Sequence, residues 1–313
     1  MAPNQRVALI FPGQGAQFVG MGRDIYDAFP VARAVFELAD EIAGFALSHL
    51  CFEGPYGELC QTINAQLAIV TLSLALLSVI QQSARPIAAS FVAGHSLGEY
   101  SALVAAGTIS TIAAITLVRR RGEIMQELSS RYPGAMSAVI GLEEQALEAV
   151  CQETGVFIAN YNSPRQFVIS GNADKIKVAG RAALEKGALK VLPLQVSGAF
   201  HSPLMAQAAQ DFAAEVDRAD WSNPFLPIIA NTTASPLSNA NAVRTELLAQ
   251  ITQPVKWQAS IETMVNLGTT AFIEVGPGQT LTGLIRRINP AIVAANISSV
   301  ATMEKYLAGE LNV

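Results

Sequence analysis

Cysteine, histidine, tryptophan and charge are all scarce in this 313-residue chain: three Cys, three His, two Trp and only 14% charged residues. Each scarcity removes a class of function. Cys51, Cys60 and Cys151 share no metal-binding or redox spacing, so no metal centre is expected, and a sparse odd count fits a reducing, cytoplasmic compartment. No Lys/Arg run exceeds Arg119-Arg120-Arg121 and the net charge is −5, which argues against a nucleic-acid partner. Long hydrophobic runs are missing too. The N-terminal apolar stretch Val7 to Phe11 stops at Pro12-Gly13, too short for the core of a signal peptide. The longest run, Leu67 to Ile80, carries Thr71, Ser73 and Ser78 and falls short of the roughly 20 residues of a membrane span. A buried core helix, and no membrane association, is expected there. What the chain does have is a hydrophobic fraction of 51%, enough to bury a sizeable core in one large domain or two.

Short apolar segments alternate with longer helical ones. Strands are expected at Val7–Phe11 and Ala89–Ala93, and helices through Gly20–Ala43, Ala65–Gln81, Leu97–Ala106 and Thr111–Ser129. Such alternation predicts an α/β fold with a parallel sheet. Between Gly134 and Gln195 the order becomes strand (Met136–Gly141), helix (Glu143–Glu153), strand (Val156–Tyr161), strand (Gln166–Ser170), helix (Ala173–Lys186), strand (Leu189–Leu194). This βαββαβ order is that of a ferredoxin-like unit. The expected organisation is a large domain over 1–130 and 197–313 with a small domain, 131–196, inserted into it. The α/β pattern resumes at Pro227–Asn231, a helix around Trp257–Leu267, and strands Thr270–Val275 and Ala291–Ile297.

Gly94-His95-Ser96-Leu97-Gly98 lies where an apolar strand runs straight into a helix. A serine between two glycines at such a junction fits a nucleophile elbow, whose tight geometry is tolerated only when the residues two before and two after lack side chains. The plain alternative is a glycine-rich turn with an incidental serine. Serine needs a base, and only His49, His95 and His201 are available. His95 adjoins the serine and should diverge from it, and His49 follows a helical stretch in a packed or surface setting. His201, in the loop Ser197-Gly198-Ala199-Phe200-His201-Ser202-Pro203, remains the candidate base, with a structural loop histidine as its alternative. Gly13-Gln14-Gly15 has neither phosphate-loop spacing, so it serves either to bring a backbone N–H beside that of Leu97 at a developing oxyanion or simply as a tight turn. Arg121 has Leu117, Val118, Ile124 and Met125 at helical spacing and should point inward. A buried guanidinium needs an anion, either a protein carboxylate or one on a substrate.

Together, Phe11-Pro-Gly-Gln-Gly15, Gly94-His-Ser-Leu-Gly-Glu-Tyr100, Arg121-Gly122, Asn162-Ser163-Pro164, Phe200-His-Ser-Pro-Leu-Met205, Asn231-Thr-Thr-Ala234 and Glu274-Val-Gly-Pro-Gly278 resemble the malonyl-CoA:acyl carrier protein transacylase family. The resemblance spans Val7 to about Arg287. It implies an α/β-hydrolase-like large domain, a ferredoxin-like small domain and ping-pong transfer of a malonyl group from malonyl-CoA to the phosphopantetheine thiol of acyl carrier protein. By position it implies Ser96 as nucleophile, His201 as base, the Gln250 backbone carbonyl as orienter of His201, and N–H groups of Gln14 and Leu97 as oxyanion donors. Arg121 would bind the malonyl carboxylate, with Phe200 and Asn162 also lining the substrate site; Leu97 and Phe200 resemble the malonyl-selective members. No resident cofactor is implied, since phosphopantetheine arrives on the partner, and a monomer is expected. Two alternatives remain at this point: an acyl hydrolase acting on carrier-protein thioesters, against which Arg121 counts, and a non-catalytic docking subunit.

Overall fold

The computed structural model describes residues 6–196 and 198–311. Ser197, where the large domain is expected to resume, and its expected limits at residues 1 and 313 lie outside the described residues.

Among the described residues, ten strands form two sheets. They are β1 (Val7–Phe11), β2 (Ala89–Gly94), β3 (Gly134–Ile140), β4 (Phe157–Ser163), β5 (Gln166–Asn172), β6 (Lys190–Pro193), β7 (Ile228–Ile229), β8 (Pro236–Leu237), β9 (Ala271–Val275) and β10 (Val293–Ile297). The larger sheet has the order β10-β9-β1-β2-β7-β8. Its central strand β1 is apolar at every position because both faces are covered. Val7, Leu9 and Phe11 enter one core, while Ala8 and Ile10 enter another with Trp257, Ile261 and Phe272 on the opposite face.

The sheet departs from the expected all-parallel form at one edge, where β8 runs antiparallel to β7. Parallel strands need a crossover of a dozen residues or more, and the chain from Ile229 to Pro236 is too short for one. A turn through Ala234, at φ 55°, reverses it instead. The strand expected over Pro227–Asn231 is thereby cut to Ile228–Ile229. A second difference is the expected helix through Gly20–Ala43, which is two helices, Arg23–Ala28 and Pro30–Ala43. Pro30 cannot donate to the preceding turn but suits the first position of a new helix.

The apolar run Leu67–Ile80 belongs to a 21-residue helix, Thr62–Gln82, longer than the run itself. By length and composition it is the one helix among the described residues that could cross a membrane, yet 83% of its apolar window is buried inside the protein. It packs against Pro30–Ala43 and Thr111–Arg131. Gly122 permits the latter approach, since a Cβ there would meet the Ile63 Cα at 3.0 Å.

The smaller sheet has the order β4-β5-β3-β6, antiparallel throughout, as the βαββαβ order predicts. Helices Glu144–Thr154 and Ala173–Glu185 cover one face around Val139, Leu147, Val150 and Ile169. The opposite face turns Met136 and Val168 toward the main core. Strand β4 is tied to the rest of the chain by Tyr161 N–H donating to Val255 O at 2.9 Å and Val255 N–H donating to Ala159 O at 2.8 Å. That tie fixes one wall of the cavity described next.

Candidate active site

Ser96 occupies the turn between β2 and the helix Gly98–Ala105, with φ at 50°, a left-handed conformation that L residues rarely adopt. The flanking glycines are required by contact. A Cβ on Gly94 would lie 1.9 Å from Gly98 C, and one on Gly98 would lie 2.1 Å from Phe11 O. Packing this close lifts the Ser96 hydroxyl above the carboxyl ends of the strands.

Ser96 Oγ is 2.7 Å from His201 Nε2, and His201 Nδ1 is 2.7 Å from the Gln250 backbone oxygen. A carbonyl can only accept, so Nδ1 carries the proton and Nε2 presents its lone pair to the serine hydroxyl. His201 is also left-handed, at φ 55°, and almost fully buried. Burial, reinforced by the positive charge of Arg121, pushes its pKa down to about 3, leaving a neutral imidazole at ordinary pH.

Arg121 is 2% exposed and projects from the helix Thr111–Arg131 into the same space. Its Nη1 donates to Gln66 Oε1 at 2.8 Å, and its Nη2 donates to Gln250 Oε1 at 3.2 Å and lies 3.5 Å from Ser96 Oγ. Among the described residues it forms no ion pair, and its Nε has no hydrogen-bond partner. Amide oxygens hold the fork without neutralising it. Burial lowers its pKa from the usual arginine value, an effect that the nearby Tyr100 and Glu99 only partly offset.

A cavity of about 230 Å³ opens in front of these groups, between the two sheets. Gln14, Leu97, Asn162 and Phe200 all line it together with Ser96, Arg121 and His201. Gln14 lies in the turn after β1 and Leu97 directly follows Ser96 on the elbow, and neither backbone N–H donates to a protein acceptor among the described residues. Asn162 Oδ1 accepts from His95 Nε2 at 2.8 Å, so His95 turns away from the serine and braces the cavity's floor against Trp257. His49 is exposed and remote. Of the expected residues only Gln250 stays outside the lining; it is fully buried behind the serine. Met125, Met136, Ala138, Val168 and Leu194 supply an apolar wall. No group of three His, Cys, Asp or Glu side chains suited to a metal occurs among the described residues.

Two residues without an assigned role in the sequence reading complete the site. Asn231 clamps the elbow: its Oδ1 accepts from Ser96 N at 2.6 Å and its Nδ2 donates to Gly94 O at 2.7 Å. Glu99 lies beneath, with Oε1 accepting from Asn231 N at 2.8 Å and Oε2 accepting from Gln250 Nε2. The available signal was an acid directly after Gly98 on an otherwise uncharged helix, a position that burial penalises unless partners satisfy it.

Over residues 8–308 the chain matches the acyl transferase domain family. It is 42% identical over 304 residues to the malonyl CoA-acyl carrier protein transacylase of Bacillus subtilis strain 168, covering 96% of this chain and 95% of that protein. The enzyme of the same name from Escherichia coli K12 is 39% identical over 304 residues, covering 96% and 98%. Among solved structures, a type II polyketide acyl-carrier protein in complex with its malonyl-transacylase superimposes with a TM-score of 0.93 at 37% identity, covering 97% of this chain and all of that one.

Proposed function

The chain belongs to the acyl transferase family, and from that premise we propose that it moves a malonyl group from malonyl-CoA to the phosphopantetheine thiol of an acyl carrier protein through an ester on Ser96. The observation that carries this reading is the unneutralised Arg121 guanidinium 3.5 Å from a serine hydroxyl that already faces a neutral imidazole at 2.7 Å. A nucleophile paired with a buried cation selects an acyl group that ends in an anion.

In the first half-reaction Ser96 Oγ attacks the thioester carbonyl carbon while its proton passes to His201 Nε2. The imidazolium keeps its Nδ1–H on the Gln250 carbonyl, so the ring does not rotate as charge develops. The N–H groups of Leu97 and Gln14 receive the oxyanion. Collapse breaks the C–S bond, and His201 returns the proton to the departing CoA thiolate. In the second half-reaction the carrier's thiol gives its proton to His201, attacks the ester and displaces Ser96, which takes the proton back. The malonyl carboxylate stays on Arg121 throughout, and Phe200 and Asn162 bound the space beside it. Docking of a carboxylate there offsets the positive charge that helps depress the His201 pKa. The bound substrate thus strengthens its own base. The apolar wall restricts water, which favours transfer over hydrolysis.

In this reading residues 131–196 are an inserted unit whose sheet closes the cavity, and no resident cofactor is needed. The three free cysteines suit a cytoplasmic setting. Intact-protein mass spectrometry after mixing with malonyl-CoA tests the proposal. A malonyl adduct on Ser96, absent in Ser96→Ala and cleared by a carrier bearing phosphopantetheine, is expected. An adduct lost only to water would establish a hydrolase instead, and no adduct would refute the enzyme reading.

A further inference from the structure

Glu99 is 1% exposed, and both of its carboxylate oxygens are occupied by N–H donors. Those donors belong to the two residues that hold the reacting groups. Asn231 fixes Ser96 N and Gly94 O, the two backbone groups that define the elbow. Gln250 donates through Nε2 to Ser96 O at 3.0 Å, accepts Arg121 Nη2 on Oε1, and accepts His201 Nδ1 on its backbone oxygen. The orientation of the Gln250 amide is therefore set from one side. Burial and the nearby Glu246 raise the Glu99 pKa, yet both of its oxygens accept N–H groups here; with the Ser96 carbonyl, which can only accept, on the same side, Nε2 must face this pair, which leaves Oε1 for Arg121.

We propose that Glu99 is a positioning residue for the reaction, a carboxylate placed one residue behind the serine, histidine and arginine that holds all three in one frame through Gln250 and Asn231. The idea rests on the acyl-transfer reading above. Its place resembles that of the acid in a serine–histidine–acid triad, moved one link away from the imidazole. A direct carboxylate would raise the His201 pKa and pair with Arg121; at one remove it supplies alignment while Arg121 keeps its charge for the substrate. Glu246 is the other carboxylate that acts on Glu99, and its own oxygens are taken by Thr232 N and Oγ1 at 2.7 and 2.5 Å.

Glu99→Gln tests the idea because it preserves shape but presents an N–H where Gln250 or Asn231 needs an acceptor. If the new amide keeps its oxygen on Gln250, its N–H meets that of Asn231 and loosens the elbow; if it faces Gln250 with N–H, the two amides clash, or Gln250 turns over, loses Ser96 O and directs its N–H groups at Arg121. The rate of Ser96 malonylation, read by quenched intact mass, should fall about 100-fold, the scale of a reacting group misplaced by about an ångström. The KM for malonyl-CoA should rise more than that for acetyl-CoA, because only the former uses Arg121. Glu99→Asp, which keeps both acceptor oxygens on a shorter stem, should lose less, and it carries the same comparison if Glu99→Gln fails to accumulate. Leu103→Ala, a core truncation on the same helix outside this network, serves as the stability control. Wild-type rates in Glu99→Gln, or a loss equal to that of Leu103→Ala with no KM split, would overturn the proposal. A wild-type protein that takes no malonyl group would instead refute the acyl-transfer reading.

Discussion

Replacing Arg121 by alanine tests substrate choice most directly, because the structure makes a different prediction for each acyl donor. The guanidinium keeps Nη1 on Gln66 and Nη2 on Gln250 while its charge remains unpaired. A carboxylate arriving from the cavity can take two further charge-assisted bonds, each contributing about 1.5–3 kcal/mol. Their combined loss, about 3–6 kcal/mol, corresponds to a fall of roughly 10²–10⁴-fold in kcat/KM for malonyl-CoA. Acetyl-CoA never makes these bonds. Its transfer should drop less than about tenfold, through the loosened Gln250 amide alone. Arg121→Lys keeps the charge but not the planar fork, so malonyl transfer should lie between wild type and alanine. Transfer of both acyl groups to the same carrier protein would be followed by mass spectrometry, with melting curves to show that the variants stay folded. Equal losses for malonyl and acetyl donors would refute the carboxylate role of Arg121.

Acid should act on this site through His201, whose pKa of about 3 lies below the 6.5 of an exposed histidine. Between those values the unfolded chain binds a proton that the folded one does not, so this group's contribution to stability rises with pH across that window and is lost as the medium is acidified through it. The acid limb of acylation in the free enzyme should sit well below 6.5, and Arg121→Ala should move that limb upward for acetyl transfer by removing a positive neighbour. A limb at the ordinary histidine value in both proteins would contradict the burial argument. Gly98→Ala places a Cβ 2.1 Å from Phe11 O, a backbone clash that no rotamer relieves. Melting should register a loss of about 1–3 kcal/mol or more, and labelling of Ser96 should fall sharply; an unchanged melting temperature with full labelling would show that the turn can relax.

Much of the fold was legible because its signals are local. The strand β1 and the run through Leu67–Ile80 announce burial on all sides, and the alternation over 134–193 gives the order of the small sheet before any pairing is known. Among the helices added to the expected elements are two of 13 residues, Ala206–Arg218 and Ala240–Thr252. The first carries a readable stripe in Ala208, Phe212 and Val216. The second conceals its stripe, since the buried face formed by Val243, Glu246, Leu247, Gln250 and Ile251 has polar members at two of five positions. Periodicity detects apolar faces, and this face is kept polar by the site it serves. Similarly, the bonds of Asn231 and Glu99 join residues about 130 positions apart, and no spacing along the chain encodes them.

The question the sequence left open at Arg121, a protein carboxylate or a substrate one, turns on the chemistry of its partners. Both are amide oxygens, from Gln66 and Gln250. His201 follows the same rule by leaning on a backbone carbonyl. Neutral acceptors align a group without changing its charge, whereas a carboxylate in either place would have neutralised Arg121 or raised the His201 pKa. An arginine must remain charged to hold an anion, and a histidine must remain neutral to take a proton from serine. Their separation by 49 to 129 residues from Gln250 along the chain is spanned by one side chain and its own backbone oxygen. A Gln250→Glu variant would place the forbidden charge there. It should pair with Arg121 and weaken malonyl transfer more than acetyl transfer, measured with the same donors; a variant with undiminished malonyl preference would show that neutrality at this position does not matter.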